Sequence, residues 1–502
     1  MILTLTANPS VDRTVVLAGR LKRGKVIRAD AVISQAGGKG VNIARACIAA
    51  GVHYVDIADS RDFVCGIGTL DEAAKAAGVV LLSGASSVPA LSGAVVRHLA
   101  RGMDKVRAVE IAISASNQAT AGPAVSAAIL GQIGQPMRIW RGQRWTTAYG
   151  WQERHLVHFQ CAGGVTIAGR QVALVDVPDL ELLPEKLVGH PAVSFRAGTE
   201  LGFQNRMLWL ASWLVRARIV TSFAPFACLL RPLQSLTRSL GSDRSAMIGR
   251  LFGDAGSRRI ERRWTLIADQ GDGPEIPTLS VEPIIAHILS GQEAAGARDA
   301  GEALALGDYA DAFGRLAVRH AMEERPAPLP LYERVMGDRF ARLPPEVRAI
   351  HDILRDGGAM GEALVTGAAN PLAACVARVV GFPRPGHHRL HVHFQEADGR
   401  ETWTRDFSGR CFQSELSQRN GWLVERFGPL RFAFDLPTDD KGLSMVMRRW
   451  WLGPLPLPKW LAPRSNAREW AEGGRFHFDV PIALPLIGQL VHYRGWLEPA
   501  PT

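Results

Sequence analysis

Two carboxylates, Asp56 and Asp59, close the short run His53-Tyr54-Val55-Asp56-Ile57-Ala58-Asp59. A strand is expected there, and functional acids gather at the carboxyl ends of strands in a parallel sheet. Capping of the turn that follows accounts for the same residues equally well. A second candidate is the hydroxyl-rich turn Ser83-Gly84-Ala85-Ser86-Ser87-Val88-Pro89, between an apolar run at 79–82 and a helical pattern over 90–100. A third is Gly37-Gly38-Lys39-Gly40-Val41-Asn42, just ahead of a helical pattern over 43–50. A Gly-rich turn at a helix start offers backbone N–H groups to an anion. Farther on, His387, His388, His391 and His393 have a strand-like spacing that could bring two imidazoles to one face. Metal binding would need further ligands, so a surface or strand-pair cluster is expected and no metal is assigned. Arg405, Arg448 and Arg449 suit an anionic headgroup, or else balance Asp406, Asp435 and Asp439. The Gly-x-Ser-x-Gly elbow of one class of hydrolases does not occur.

The elements that must carry these groups divide by pattern. With 502 residues, 47% of them apolar and 21% charged, the chain has material for about three globular domains. Residues 46–104 alternate strand and helix patterns, as in a βαβ unit of a parallel sheet. Residues 105–327 read as further α/β structure, and 328–345 as a Pro-rich connection. Extended runs then recur at 389–394, 401–407, 422–427, 431–435, 443–451, 475–480 and 489–496, separated by turn residues. That spacing predicts an antiparallel sheet or partial barrel. Its aromatic and Leu/Pro-rich segments could enclose an apolar ligand, or pack one core. The expected fold class is therefore α/β, a partial Rossmann-like parallel sheet plus an α/β substrate domain, followed by an antiparallel β-rich C-terminal domain.

Six scattered cysteines argue against a disulfide framework or a structural zinc site. The first 25 residues have no signal-peptide core, which makes a cytoplasmic location the expectation. The net charge of +10 is concentrated between Arg206 and Arg263, where eleven arginines face Asp243, Asp254 and Glu261. No helix-turn-helix or other reading module accompanies them, so nucleic acid is not an expected partner. Within 206–233 the arginines interrupt an apolar run that includes Trp209 and Trp213. Such a run spans a membrane poorly but suits an interfacial helix, so peripheral contact at the inner membrane face stands beside a solvated basic surface.

Three family resemblances follow. Asn8-Pro9-Ser10-Val11-Asp12 and Gly37-Gly38-Lys39-Gly40-Val41-Asn42 resemble the N-terminus of PfkB-family sugar kinases of the 1-phosphofructokinase branch. The resemblance implies that Asp12 holds sugar hydroxyls and that Gly37, Gly38, Lys39 and Asn42 line a sugar site. The downstream Gly-x-Gly-Asp segment of such kinases is missing, and Gln270-Gly271-Asp272-Gly273 has the wrong order, so these residues read as a remnant. From about residue 43, Ala44-Arg45-Ala46-Cys47-Ile48-Ala49-Ala50-Gly51 and 77–89 resemble saccharopine-dehydrogenase-like oxidoreductases. This implies a Rossmann region with NADP or NAD as cofactor, held at Ser83, Gly84, Ser86 and Ser87, and Asp56 and Asp59 as candidate catalytic acids. A substrate domain would follow, marked by Val175-Asp176-Val177-Pro178-Asp179. The Gly-x-Gly-x-x-Gly turn of dinucleotide enzymes is absent before residue 43, which implies an impaired cofactor site. Finally, Arg448-Arg449-Trp450-Trp451-Leu452-Gly453-Pro454 and Gly474-Arg475-Phe476-His477-Phe478-Asp479 resemble the DUF4166 family, a companion of such oxidoreductase-like domains without assigned chemistry.

The expected domains are a PfkB-like fragment at 1–45, a partial NAD(P)-binding region at 46–104, a substrate domain at 105–327 and a DUF4166-like domain at 328–502. The leading functional expectation is an impaired saccharopine-dehydrogenase-like oxidoreductase. The alternative is a non-catalytic lipid- or membrane-associated protein with a small-molecule or lipid-like ligand, and a sugar-kinase fragment is a distant third. The strand at Tyr54 lacks its usual Rossmann neighbour, so the extended stretches at 2–6 and 26–33 are expected to pair there or leave an exposed edge. Residues 1–40 are expected to pack less well than the rest. Oligomeric state is not specified by the sequence.

Overall fold

The computed structural model describes residues 2–3, 9–17, 29–118, 123–227 and 236–500, with side chains from residue 41 onward except those of 123–125 and 162. Its first layer is a four-stranded, wholly parallel sheet in the order Ile2–Leu3, Tyr54–Val55, Val80–Ser83, Gly296–Asp299. Val80–Ser83 is buried along its whole length, as the middle of a covered parallel sheet requires. Ile2 pairs with Tyr54 and Leu3 with Val55, so the N-terminal residues supply the neighbour of Tyr54–Val55, as expected for 2–6. The hairpin Pro9–Leu17/Ala29–Gly38 and the helix Lys39–Ala50 connect these two strands, so the described part of the stretch expected beside Tyr54 at 26–33 pairs within that hairpin instead, as the near partner in sequence. The packing of residues 1–40 lies outside the described side chains.

A mixed seven-stranded sheet forms the second layer. Its order is Val318–Pro326, Arg258–Ala268, Ser245–Ala255, Lys105–Ala115, Ala192–Thr199, Thr166–Leu174, His155–Gln160. Only Lys105–Ala115 and Ala192–Thr199 run parallel. The helix Ser92–Ala100 lies between the two sheets. It buries Val95, Val96 and Leu99 in one cluster with Leu82, Val109, Leu251 and Trp264.

The third body is a closed antiparallel barrel of ten strands. They pair in chain order: Asp356–Thr366, Gly386–Ala397, Arg400–Phe407, Arg410–Arg419, Trp422–Phe427, Leu430–Asp435, Gly442–Leu452, Asn466–Glu472, Arg475–Leu484 and Gly488–Pro499. The last strand returns to the first, Met360 opposite Glu498, and closes the ring. Closure removes the exposed edges that an open sheet would carry. At this seam a Cβ on Gly495 would sit 1.9 Å from the Glu362 carbonyl oxygen, so the strands meet only because a side chain is missing. The helices Leu331–Met336 and Pro345–His351 plug one end, burying Tyr332, Val347 and Ile350 in the barrel core. The helix Pro371–Val380 bridges the first two strands at the other end. Asn370 caps it by accepting from the Ala373 N–H at 2.9 Å, and left-handed Gly381 ends it.

The barrel is fastened to the mixed sheet by charge. Arg355, just ahead of the first barrel strand, donates from Nη2 and Nε to Glu110 Oε1 on Lys105–Ala115, at 2.6 and 2.9 Å, and from Nη1 to Glu396 at 2.9 Å. Arg107 reaches Asp352 at 3.0 Å and Arg144 reaches Asp406 at 2.9 Å. The turn between Pro136–Arg141 and Arg144–Tyr149 also docks here: Gly142 donates its N–H to Asp356 at 2.7 Å, and its carbonyl lies 2.7 Å from His391 Nε2.

Candidate functional site

The barrel encloses a cavity of about 200 Å³. Alternation along the strands puts Trp403, Arg405 and Phe407 on the inner face, with Phe412, Ser414 and Leu416 beside them and Leu423, Glu425 and Phe427 beyond. Most of the wall is apolar, and it continues through Phe432, Met445, Phe476 and Phe478. Arg405, Glu425, Glu469, Tyr332 and Tyr493 interrupt it.

Arg405 donates from Nη1 to Ser414 Oγ at 2.8 Å, and Nη2 approaches Glu425 Oε1 at only 3.5 Å. Its guanidinium lies over the rings of Trp403 and Phe412, at 5.1 and 5.2 Å. Such stacking carries a cation in an apolar wall while leaving donors available. Burial raises Glu425 above the ordinary carboxylate range, against the pull of Arg405. Burial also pushes the Tyr493 hydroxyl up to about 12, so it stays a neutral donor and acceptor. At the plugged end His351 Nε2 lies 2.8 Å from Glu469 Oε2, and its ring stacks on Tyr332 with centroids 3.7 Å apart. Glu401 accepts from Trp403 Nε1 at 3.0 Å and from the Leu331 N–H at 3.3 Å. These polar groups thus tie the plug to the barrel and give an apolar chamber a few fixed hydrogen-bonding points.

The oxidoreductase-like candidates fall at the carboxyl edge of the parallel sheet. Asp56 is fully buried and accepts from the Ala58 N–H at 2.9 Å, the Gly84 N–H at 2.9 Å and Ser83 Oγ at 3.0 Å. Burial raises its pKa, against those hydrogen bonds. Its geometry joins two strand ends, the capping alternative of the sequence reading. Asp59 is exposed. Ser83, Gly84, Ser86 and Ser87 share one turn, in which all four are buried, and a Cβ on Gly84 would lie 2.5 Å from Pro89 Cδ. The turn is packed on itself and does not form an open cradle for a pyrophosphate. Of the sugar-site residues, Asn42 is exposed in the first turn of Lys39–Ala50, while the side chains of Asp12, Gly37, Gly38 and Lys39 lie outside the described residues.

Near this edge lie two charged groups to which the sequence reading gave no role in a site, although Asp179 ends the landmark Val175-Asp176-Val177-Pro178-Asp179. Asp179 accepts from Ser92 Oγ at 2.6 Å, its other oxygen has no partner, and burial pushes it up to about 7. Arg61 is buried against Asp176 at 3.0 Å, Glu181 and the Arg138 carbonyl at 2.7 Å. Asp179 stands among Val177, Pro178 and Leu180, a charge in a mostly apolar run, whereas Arg61 lies between Ser60 and Asp62 and carries no mark in sequence.

The histidine cluster is a docking feature. His391 faces Gly142 and His393 faces Asp356 at 2.7 Å, and among the described residues no group of three or more His, Cys, Asp or Glu could hold a metal ion. Arg448 pairs with Asp435 at 2.8 Å, Arg449 lies over Trp422, and Asp439 pairs with Arg468, so of the three candidate arginines only Arg405 faces the cavity. In the basic apolar segment, the helix Gly202–Arg216 buries Asn205, Ser212 and Val215 and exposes Phe203, Met207, Leu210 and Leu214. Residues 228–235 of that segment lie outside the described residues. Among the described residues no helix is long and apolar enough to cross a membrane.

No curated protein matches the chain. Among solved structures it is similar to a protein of unknown function from the DUF3598 family of Nostoc punctiforme, with 12% identity over 51% of this chain and 67% of that one, at a TM-score of 0.21. It is also similar to Rv2717c from M. tuberculosis, with 12% identity over 32% of this chain and 99% of that one, at a TM-score of 0.20. A third is GenD2 from gentamicin A biosynthesis in complex with NAD, with 16% identity over 58% of this chain and 76% of that one, at a TM-score of 0.23. The family model described as "Domain of unknown function (DUF4166)" matches residues 343–497, which cover nearly the whole barrel and part of its plug. The C-terminal part of the chain is a DUF4166 domain.

Proposed function

We propose that this protein binds one apolar, lipid-like small molecule inside its C-terminal barrel, and that the molecule ends in a carboxylate or another hydrogen-bond acceptor. The observation that carries this reading is the chamber of about 200 Å³ whose apolar wall holds Arg405, with donors to spare, among aromatic rings. A core meant only to pack would not retain an arginine with so loose a partner. Organic extraction of the purified full chain followed by mass spectrometry tests it. A bound amphipathic molecule in near-stoichiometric amount supports the reading, and protein that neither carries nor takes up such a molecule refutes it.

A second reading is an NAD(P)-dependent, saccharopine-dehydrogenase-like oxidoreductase. It is supported by the parallel sheet with Asp56 and Ser83 at its carboxyl edge. For NADP or NAD to lie there, the turn at 84–91 must open, because Pro89 now covers Gly84. Titration with NADPH and NADH, followed by nicotinamide fluorescence, separates the readings. Saturable binding favours the oxidoreductase, and its absence in folded protein leaves the barrel as the functional site.

A further inference from the structure

The barrel's two ends differ in a way that the cavity alone does not require. Chain direction places the connections 398–399, 420–421, 436–441 and 473–474 at the plugged end, and 367–385, 408–409, 428–429, 453–465 and 485–487 at the opposite end. The plugged-end connections carry Asp398, Asp439 and Asp440 against one cation, Lys441. The opposite five contain no Asp or Glu at all, yet they hold Arg378, Arg384, Lys459 and Arg464, all exposed. The same rim exposes large apolar side chains: Leu486 is 98% exposed, Val379 83%, Trp460 70%, and Leu372 and Leu455 are also open. Inside the rim, Val376, Val380, Pro463 and Leu484 line the cavity.

We infer that this rim docks on an anionic lipid surface, with the barrel mouth facing the bilayer. Exposed Trp and Leu side chains among cations, with no anion in the connections and the bordering Asp406 neutralised by Arg144, match the headgroup boundary of an acidic membrane. A second copy of the chain would set like charges against each other, and an acidic protein surface offers no apolar layer for Leu486 and Trp460 to enter. The inference concerns the rim and goes beyond ligand binding in the cavity, so vesicle binding and ligand binding fail separately.

The test is co-sedimentation of the full chain with phosphatidylcholine vesicles, with and without phosphatidylserine, at low salt and at about 0.5 M salt. The expected result is binding to the phosphatidylserine vesicles alone, weakened by salt, and reduced about tenfold or more in Trp460→Glu/Leu486→Glu. Far-UV circular dichroism shows whether that variant is folded; Arg378→Gln/Lys459→Gln, which leaves the apolar rim intact, is expected to lose roughly fivefold or more. The comparison variant Leu210→Glu/Leu214→Glu changes the exposed face of the helix Gly202–Arg216 and is expected to bind as the unmodified chain does. No sedimentation at low salt overturns the inference. So does loss of binding in the Leu210/Leu214 variant while both rim variants bind normally.

Discussion

Arg405 and Glu425 face each other inside the barrel at 3.5 Å across the intervening strand Arg410–Arg419, closer to a loose contact than to a strong ion pair. Burial raises the Glu425 pKa while Arg405 keeps one firm bond, to Ser414. A buried arginine so lightly used is a binding group before it is a structural one.

Arg405→Met is therefore expected to weaken binding of a carboxylate-ended apolar probe about tenfold, roughly 1.4 kcal/mol. The corresponding alcohol should lose less, because it gains less from a cation. Parallel titrations of both probes check this. Equal losses would mean that Arg405 shapes the wall without reading the ligand's polar end.

Acid should loosen the join between sheet and barrel. Burial opposes the ionised form of Glu110, but Arg355, Arg250 and Arg196 outweigh it and hold the carboxyl at about 2, below the ordinary 4.5. A depressed carboxylate contributes its full share above about pH 5 and loses it as the pH falls toward 2. The contribution is at most about 3 kcal/mol. His391 acts in the same direction: burial lowers it to about 4 from 6.5, so protonation costs stability as the pH falls between those values. Urea unfolding at several pH values should show a steep acid slope that Glu110→Gln flattens. An unchanged slope in that variant would contradict the assignment.

Asp179 has the opposite sign. Its folded pKa of about 7 lies above the ordinary 3.8, so the protonated group favours the fold. That advantage is complete below about pH 4, declines as the pH rises and is gone above about pH 7. Asp179→Asn keeps an acceptor for Ser92 and removes the cost of ionisation. It should stabilise the chain by roughly 1–3 kcal/mol at about pH 8 and change little at about pH 4. A destabilised variant at pH 8 would mean that the carboxylate is needed in its charged form.

Much of this arrangement was legible in the sequence, for identifiable reasons. Alternating apolar residues such as Phe476 and Phe478 mark barrel strands directly, and the apolar run at 79–82 marks a buried parallel strand. The strand Asp356–Thr366 was hidden by Gly357, Gly358 and Gly361, which weaken any strand signal, although Gly361 permits close approach to Trp496 at the seam and Gly358 to Gly142 of the docked turn. Closure itself depends on pairing that strand with Gly488–Pro499, a relationship too distant for local pattern to show. Glu425 could have been noticed: it shares the inner parity of Leu423 and Phe427, and a charge on an apolar face is a signal in its own right. Asp56 and the Ser83–Ser87 turn were placed correctly at the sheet edge. Their burial under Pro89 was not readable, because it depends on how that turn packs.

The most direct test of the account is a titration of the full chain with a fluorescent fatty-acid analogue, alongside Ala467→Phe. Ala467 lines the cavity and is itself buried, so the larger side chain fills the chamber at a packing cost of about 1–3 kcal/mol. The account predicts saturable binding of one probe per chain, lost in Ala467→Phe while circular dichroism shows the fold retained. Folded protein that does not bind, or a filled variant that binds as well as the unmodified chain, would contradict it.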